Sequence, residues 1–113
     1  MQLQLTDVGD GVLNVLLIGR LDTPGVDGVE TQLTAHLVPR GARAMIDLSQ
    51  VTFIGSGGIR MFITIARALG RKGGKLVLYG AQPFVAQVFE TTSLNEIVPV
   101  RADASAAAAA VRG

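Results

Sequence analysis

Asp47-Leu48-Ser49-Gln50-Val51-Thr52-Phe53-Ile54-Gly55-Ser56-Gly57-Gly58-Ile59 is the stretch on which the reading of this chain turns. It follows Ala44-Met45-Ile46, the end of a buried strand, and reads as a connection and then a helix opened by a serine among glycines. A serine at that position places one hydroxyl where backbone N–H groups converge. Ser56 is therefore the first candidate site residue. As a plain N-cap it would stabilise the helix by roughly 1 kcal/mol. As a phosphoserine it would set a charge of roughly −1.5 to −2 against a helix N-terminus that favours anions. Both roles fit the local sequence.

Working outward, the helix after Ser56 turns Ile59, Phe62, Ile63, Ala66 and Leu69 inward, and its other face carries Arg60, Thr64, Arg67 and Arg71. That basic stripe begins one turn beyond Ser56, which lets Arg60 pair with a phosphate there. By default it is a solvated face; as a docking groove it would suit an acidic partner. Gly70 and Gly73-Gly74 close the helix, and Lys75 to Gly80 forms the next strand. Pro83 opens a short helix with Phe84, Val85, Val88 and Phe89 in the core, ended by Thr91-Thr92-Ser93. Ile97-Val98-Pro99-Val100 is a short edge strand, where a proline is tolerated. Asp103 or Ser105 caps the alanine-rich run Ala106 to Ala110, so residues 102–113 form a helix expected to pack lightly or fray.

Upstream, Gln2 to Thr6 alternates with period two, and Gly9-Asp10-Gly11 turns the chain into the apolar run Val12 to Ile18. The fold opens with a β-hairpin. Asp22 or Thr23 then caps a helix with Pro24 in its first turn and Val26, Val29, Leu33 and Leu37 on its apolar face. Gly25 and Gly28 weaken this helix by up to about 1 kcal/mol each, which loosens its first turn. Pro39-Arg40-Gly41 ends it, and Arg43 to Leu48 returns as a parallel strand through a right-handed crossover. Segments that follow two such strands leave the sheet at one edge, so Asp22 and Ser56 belong on the same side of the molecule.

Composition narrows the function classes. The 113 residues suffice for one domain, 1–113, burying roughly 65% of its unfolded surface. The core is aliphatic, since 49% of residues are hydrophobic and only 4% aromatic, and 17% charged is low enough to leave apolar surface for a partner. A net charge of +1 lacks the basic surplus that nucleic-acid binding requires. The absence of cysteine excludes disulfides, thiolate nucleophiles and thiolate metal sites, and fits a reducing cytoplasm. No apolar run is long enough for direct membrane insertion, and the start of the chain lacks a signal peptide's pattern. His36 is the single histidine, so neither a triad nor a histidine metal site can be assembled on it. Gly55-Ser56-Gly57-Gly58 lacks the lysine of a phosphate-binding P-loop. Asp47, near the end of a strand, reads as a residue that satisfies loop N–H groups.

The pattern Asp47-Leu48-Ser49, Val51, Phe53-Ile54, Ser56, Gly58-Ile59, with Gly19-Arg20-Leu21-Asp22 before it and Gly73-Gly74-Lys75-Leu76 and Ser93-Leu94 after it, resembles the STAS domains of the anti-sigma factor antagonist family. The resemblance spans essentially the whole chain. It implies an α/β STAS fold: a mixed central β-sheet opened by a β-hairpin, with helices packed mainly on one face. It also implies a cytoplasmic, non-enzymatic binding module without a cofactor. Ser56 matches the serine phosphorylated, with ATP, by a partner that is both serine kinase and anti-sigma factor, and a metal-dependent serine phosphatase reverses the step. Asp22 matches an acidic position used in partner recognition, and the expected partner surface comprises Asp22, Gly55, Ser56, Gly57, Arg60, Thr64 and Arg67. Two positions depart from the family: Gly55 replaces the usual acidic residue before the serine, and Gly57 the usual Ser or Thr after it. Two other functions fit the chain. One is an accessory subunit of a membrane lipid-transport ATPase, which need not present a kinase site. The other is a small-anion or nucleotide binder at the Ser56 helix N-terminus.

Overall fold

The computed structural model describes residues 1–113. Five strands form one sheet in the order β1-β2-β3-β4-β5: β1 (Gln2–Asp7), β2 (Val12–Leu21), β3 (Arg43–Ile54), β4 (Lys75–Tyr79) and β5 (Val100–Arg101). β1 runs antiparallel to β2, and β2 to β5 are parallel to one another. The helices are α1 (Thr23–Leu37), α2 (Ser56–Arg71), α3 (Pro83–Thr91) and α4 (Ala104–Arg112), with a short 3-10 turn at Leu94–Glu96. Because strand order follows chain order, crossovers of one hand all pass over the same side of the sheet. Accordingly α1, α2 and α3 share one core with the sheet residues Val15, Leu17, Ala44, Ile46, Leu48, Leu76 and Leu78.

The stretch after Asp47 is strand, not a connection: β3 continues to Ile54. Its inward residues are Leu48, Val51 and Ile54, spaced by three where a strand's period is two. Two irregularities in the β2–β3 register account for this. Leu16 pairs Asp47 while Ile18 pairs Gln50, and Gly19 pairs Val51 while Arg20 pairs Phe53. Each gives β3 one extra residue, and each returns the next apolar side chain to the core. Asp47 Oδ1 accepts from Ser49 N–H at 2.9 Å at the first of these, a local role like the one its position suggested.

Other helix and strand assignments shift for similar packing reasons. α2 buries Met61 and Ile65 together with Ile59, Phe62 and Leu69, whereas Ile63 and Ala66 are half-buried. β5 is limited to Val100–Arg101. The left-handed turn at Ser93 and the following 3-10 turn use up the preceding residues and leave Ile97 exposed. Phe84 is not in the core; 53% of it is exposed at the start of α3. On the sheet's second side, α4 is capped by Asp103, whose Oδ1 accepts from Ala106 N–H at 2.9 Å. It buries Ala107 and Val111 against Val12, Met45, Val77 and Tyr79, and Arg43 Nη1 donates to the Val111 carbonyl at 2.7 Å. The Tyr79 hydroxyl donates to Asn14 Oδ1 at 2.6 Å on that side, and burial raises its pKa, helped by the nearby Asp47 charge.

The first turn of α1 is tightly held. Gly25 is buried, and a Cβ there would lie 1.9 Å from the Arg20 carbonyl oxygen, so only glycine lets the helix start this close to the end of β2. A Cβ on Gly28 would meet nothing within 4 Å. The two glycines thus have opposite consequences. Gly25→Ala is expected to destabilise the protein by about 1–3 kcal/mol, as overpacking does, and Gly28→Ala to stabilise it by up to about 1 kcal/mol through helix propensity. Urea denaturation of both variants checks this; equal effects would show that Gly25 is not constrained by its contact with β2.

Candidate functional site

Parallel strands deliver their following segments to one edge of the sheet, and three such segments meet here. After β2 comes Asp22, after β3 comes Gly55-Ser56, and after β4 comes the start of α3 at Pro83-Phe84. Leu21 pairs with Ile54, and Gly55 N–H donates to the Leu21 carbonyl at 3.0 Å. Asp22 and Ser56 therefore flank one backbone hydrogen bond, on the same side of the molecule as the topology requires.

The N-cap of α2 is Gly55, in extended conformation, and no side chain caps the helix. Ser56 is the first helical residue. This corrects the N-cap reading of Ser56: its hydroxyl makes no hydrogen bond within the chain, and the residue is exposed. The N–H groups of Ser56 and Gly57 find no acceptor in the chain either, since the first-turn bonds begin with Gly58 and Ile59 donating to the Gly55 carbonyl. A hydroxyl with two unpaired N–H groups beside it stands free at the positive end of the helix dipole. Gly58 is needed for packing, because a Cβ there would lie 2.8 Å from Ile54 Cγ1. Gly55 is not: a Cβ would make ordinary contacts, 3.5 Å from Phe53 Cε2 and 3.8 Å from the Leu21 carbonyl oxygen.

Between α1 and α2 runs an open groove of about 390 Å³, with Ser56, Gly57, Arg60 and Thr64 on one wall and Thr23, Asp27 and Glu30 on the other. Asp27 and Glu30 were not singled out in the sequence. They lie four and seven residues after Thr23, and only packing α1 beside α2 shows that they oppose Arg60. The groove is thus of mixed charge. The chain's two ion pairs, Arg20–Asp22 and Arg112–Asp10, leave all three of these charges unpaired. Arg67 and Arg71 are exposed further along α2, outside the groove.

Asp22 caps α1 as expected, Oδ1 accepting from Gly25 N–H at 2.9 Å, while Arg20 Nε donates to Oδ2 at 3.4 Å. The Gly25 bond chiefly holds its carboxyl below the ordinary 3.8; desolvation opposes it, and the Arg20 guanidinium adds to the lowering. Beside it the Arg20 guanidinium lies 4.5 Å from the centre of the Phe53 ring, and Phe53 stacks on Phe84 with centroids 6.2 Å apart and planes at 20°. The aromatic part of this edge was missed in the sequence because an apolar residue next to Pro83 reads as core.

Comparison with known proteins identifies the family of this fold. The model of the STAS domain family matches residues 5–107, and the chain belongs to that family. BtrV of Bordetella bronchiseptica, named as an anti-sigma factor antagonist, is 33% identical over 103 residues, 91% of this chain and 89% of BtrV. The crystal structure of an anti-sigma factor antagonist from Mycobacterium paratuberculosis superposes with a TM-score of 0.87 at 26% identity, covering 99% of this chain and 94% of that one. The Bacillus cell-fate determinant SpoIIAA, solved in its phosphorylated form, shares the fold with a TM-score of 0.72 at 20% identity, covering 98% of this chain and 100% of that one.

A depressed folded-state pKa contributes stability above the unfolded value that is lost as pH falls through the folded one. Asp22→Asn keeps a capping oxygen but not the titration. The stability gap between wild type and Asp22→Asn, followed by urea denaturation, is expected to hold at neutral pH and to narrow as pH falls below about 4. A gap independent of pH would show that the Asp22 charge contributes nothing.

Proposed function

We propose that this chain is an anti-sigma factor antagonist whose binding surface is centred on Ser56 and switched by phosphorylation there. In this reading the unmodified surface binds a cytoplasmic partner that is both anti-sigma factor and ATP-dependent serine kinase, and binding releases the partner's client. Phosphorylation of Ser56 ends the interaction, and a metal-dependent phosphatase restores it. The chain acts by being bound and modified and carries out no catalysis of its own. The observation that carries the reading is the exposed, uncapped Ser56 hydroxyl at the first position of α2, beside Asp22 and two unpaired N–H groups. The names of its relatives support the same role.

The geometry suits a switch. Since the Ser56 side chain holds no structural hydrogen bond, modifying it breaks none, and the helix dipole and free N–H groups favour the added charge. Arg60 supplies a cation in the same groove. The acidic residues Asp27 and Glu30 on the facing wall repel any anion in the groove, which a covalently attached phosphate withstands and a freely exchanging small anion or nucleotide does not. No helix is long and apolar enough to cross a membrane.

Affinity capture from the native cells, comparing wild type with Ser56→Asp, tests the proposal. Wild type is expected to retain a serine kinase of the anti-sigma type that Ser56→Asp loses. With that kinase and ATP, wild type should gain one phosphate that Ser56→Ala does not. Retention of a transport ATPase equally by both proteins, with no kinase, would overturn the proposal in favour of a structural subunit.

A further inference from the structure

The edge that presents Ser56 also presents an aromatic surface that neither the core nor the groove uses. Phe84 is among the few large apolar residues left exposed, at 53%. It is held in place: α3 is anchored behind it by the buried Val85 and Phe89, Gln82 Nε2 donates to the Ser49 carbonyl at 2.9 Å, and its ring stacks, offset, against Phe53. Arg20, 59% exposed, covers Phe53 in turn and reaches Asp22 through a single long contact. Most of its five donors are therefore free.

Arg20, Phe53 and Phe84 come from β2, β3 and α3, so this platform runs along the edge from Asp22 to the start of α3. It is continuous with the Ser56 surface through Gly55. The Phe53 ring edge lies 3.5 Å from where a Cβ of residue 55 would stand, so the missing side chain leaves that edge of the ring uncovered next to the residue that precedes Ser56. Where the family usually sets a carboxylate before the serine, this chain offers the edge of an aromatic ring.

We infer that recognition beside Ser56 in this protein is aromatic instead of acidic: the partner that docks on Ser56 also seats an aliphatic side chain on the Phe53–Phe84 stack and a neighbouring carboxylate on Arg20. The chemistry follows from the surface. Rigid, pre-positioned aromatics lose little entropy on binding and make the dominant anchors of interfaces, and a partly free guanidinium at their rim selects an acid. This inference rests on the proposed function, because it assigns the specificity of that partner.

The experiment titrates the full-length chain against the anti-sigma serine kinase of its own cells, with wild type, Phe84→Ala, Phe84→Leu, Gly55→Asp and Ser56→Asp compared. Phe84→Ala is expected to weaken binding at least about tenfold, and to raise KM for phosphorylation of Ser56 while leaving kcat unchanged, since the ring takes no part in the chemistry. Its urea midpoint should fall only modestly, by the loss of the stack on Phe53, and the variant should remain folded under the binding conditions. Phe84→Leu should recover much of the affinity, and Gly55→Asp, which sets a carboxylate against the ring, should weaken binding. If Phe84→Ala and Gly55→Asp bind as wild type while Ser56→Asp does not bind, the aromatic platform is refuted and the switch stands. If Ser56→Asp binds as wild type, the switch itself fails. A concentration-dependent dimer in sedimentation that is lost in Phe84→Ala would assign the platform to a second copy of the chain and overturn the inference.

Discussion

The hydrogen bond from Gly55 N–H to the Leu21 carbonyl, 3.0 Å long, is the constraint on which the functional edge depends. It is the last rung between β2 and β3, and it sets where both strands release their helices. On one side of it Asp22 caps α1, and on the other Gly55 begins α2. Two close approaches make the rung possible. Gly25 lets α1 turn directly against Arg20, and Gly58 lets α2 lie against Ile54 and Leu21. A longer side chain at either place would push one helix away from the edge, and Asp22 and Ser56 would separate with it.

Much of this was legible in the sequence because it rests on short-range patterns. The hairpin turn at Gly9-Asp10-Gly11, the Asp22 cap and the α1 stripe Val26, Val29, Leu33 and Leu37 all declare themselves within a few residues. The arrival of Asp22 and Ser56 at one edge followed from topology alone. What failed depended on partners distant in the chain. Val51 and Ile54 do not look like strand residues because the extra residues in β3 break the period of two, and those are defined only against β2. Met61 and Ile65 are buried through the way α2 sits over the sheet, which its own sequence does not fix.

Ser56 and Phe84 show the same limit at the site itself. A serine among glycines before a helix suits an N-cap, and a shift of one residue separates a capping hydroxyl from a free one. Gly55 takes the cap because β3 runs on to Ile54 and its pairing with β2 fixes where helical geometry begins. Phe84 follows a proline at the start of an apolar helix, which suggests burial. The inward face of α3 is already filled by Val85 and Phe89, and Phe84 is left to the edge, where Phe53 and not the core receives it.

These displacements bear on how a modification at Ser56 would act. Had the hydroxyl been the cap, a phosphate would replace a structural hydrogen bond, and folding and signalling would be coupled. With the cap on the backbone of Gly55, Ser56 is free of structural duty, and modifying it removes no bond that holds α2. A phosphate would bring roughly −1.5 to −2 charge to a groove whose facing wall already carries Asp27 and Glu30. Its nearest compensation comes from the helix N-terminus and Arg60, both within α2. The protein would keep its shape, while the groove changes from mixed to strongly negative. A partner would then read surface charge over an unchanged backbone, and such a signal is reversible because nothing needs to refold.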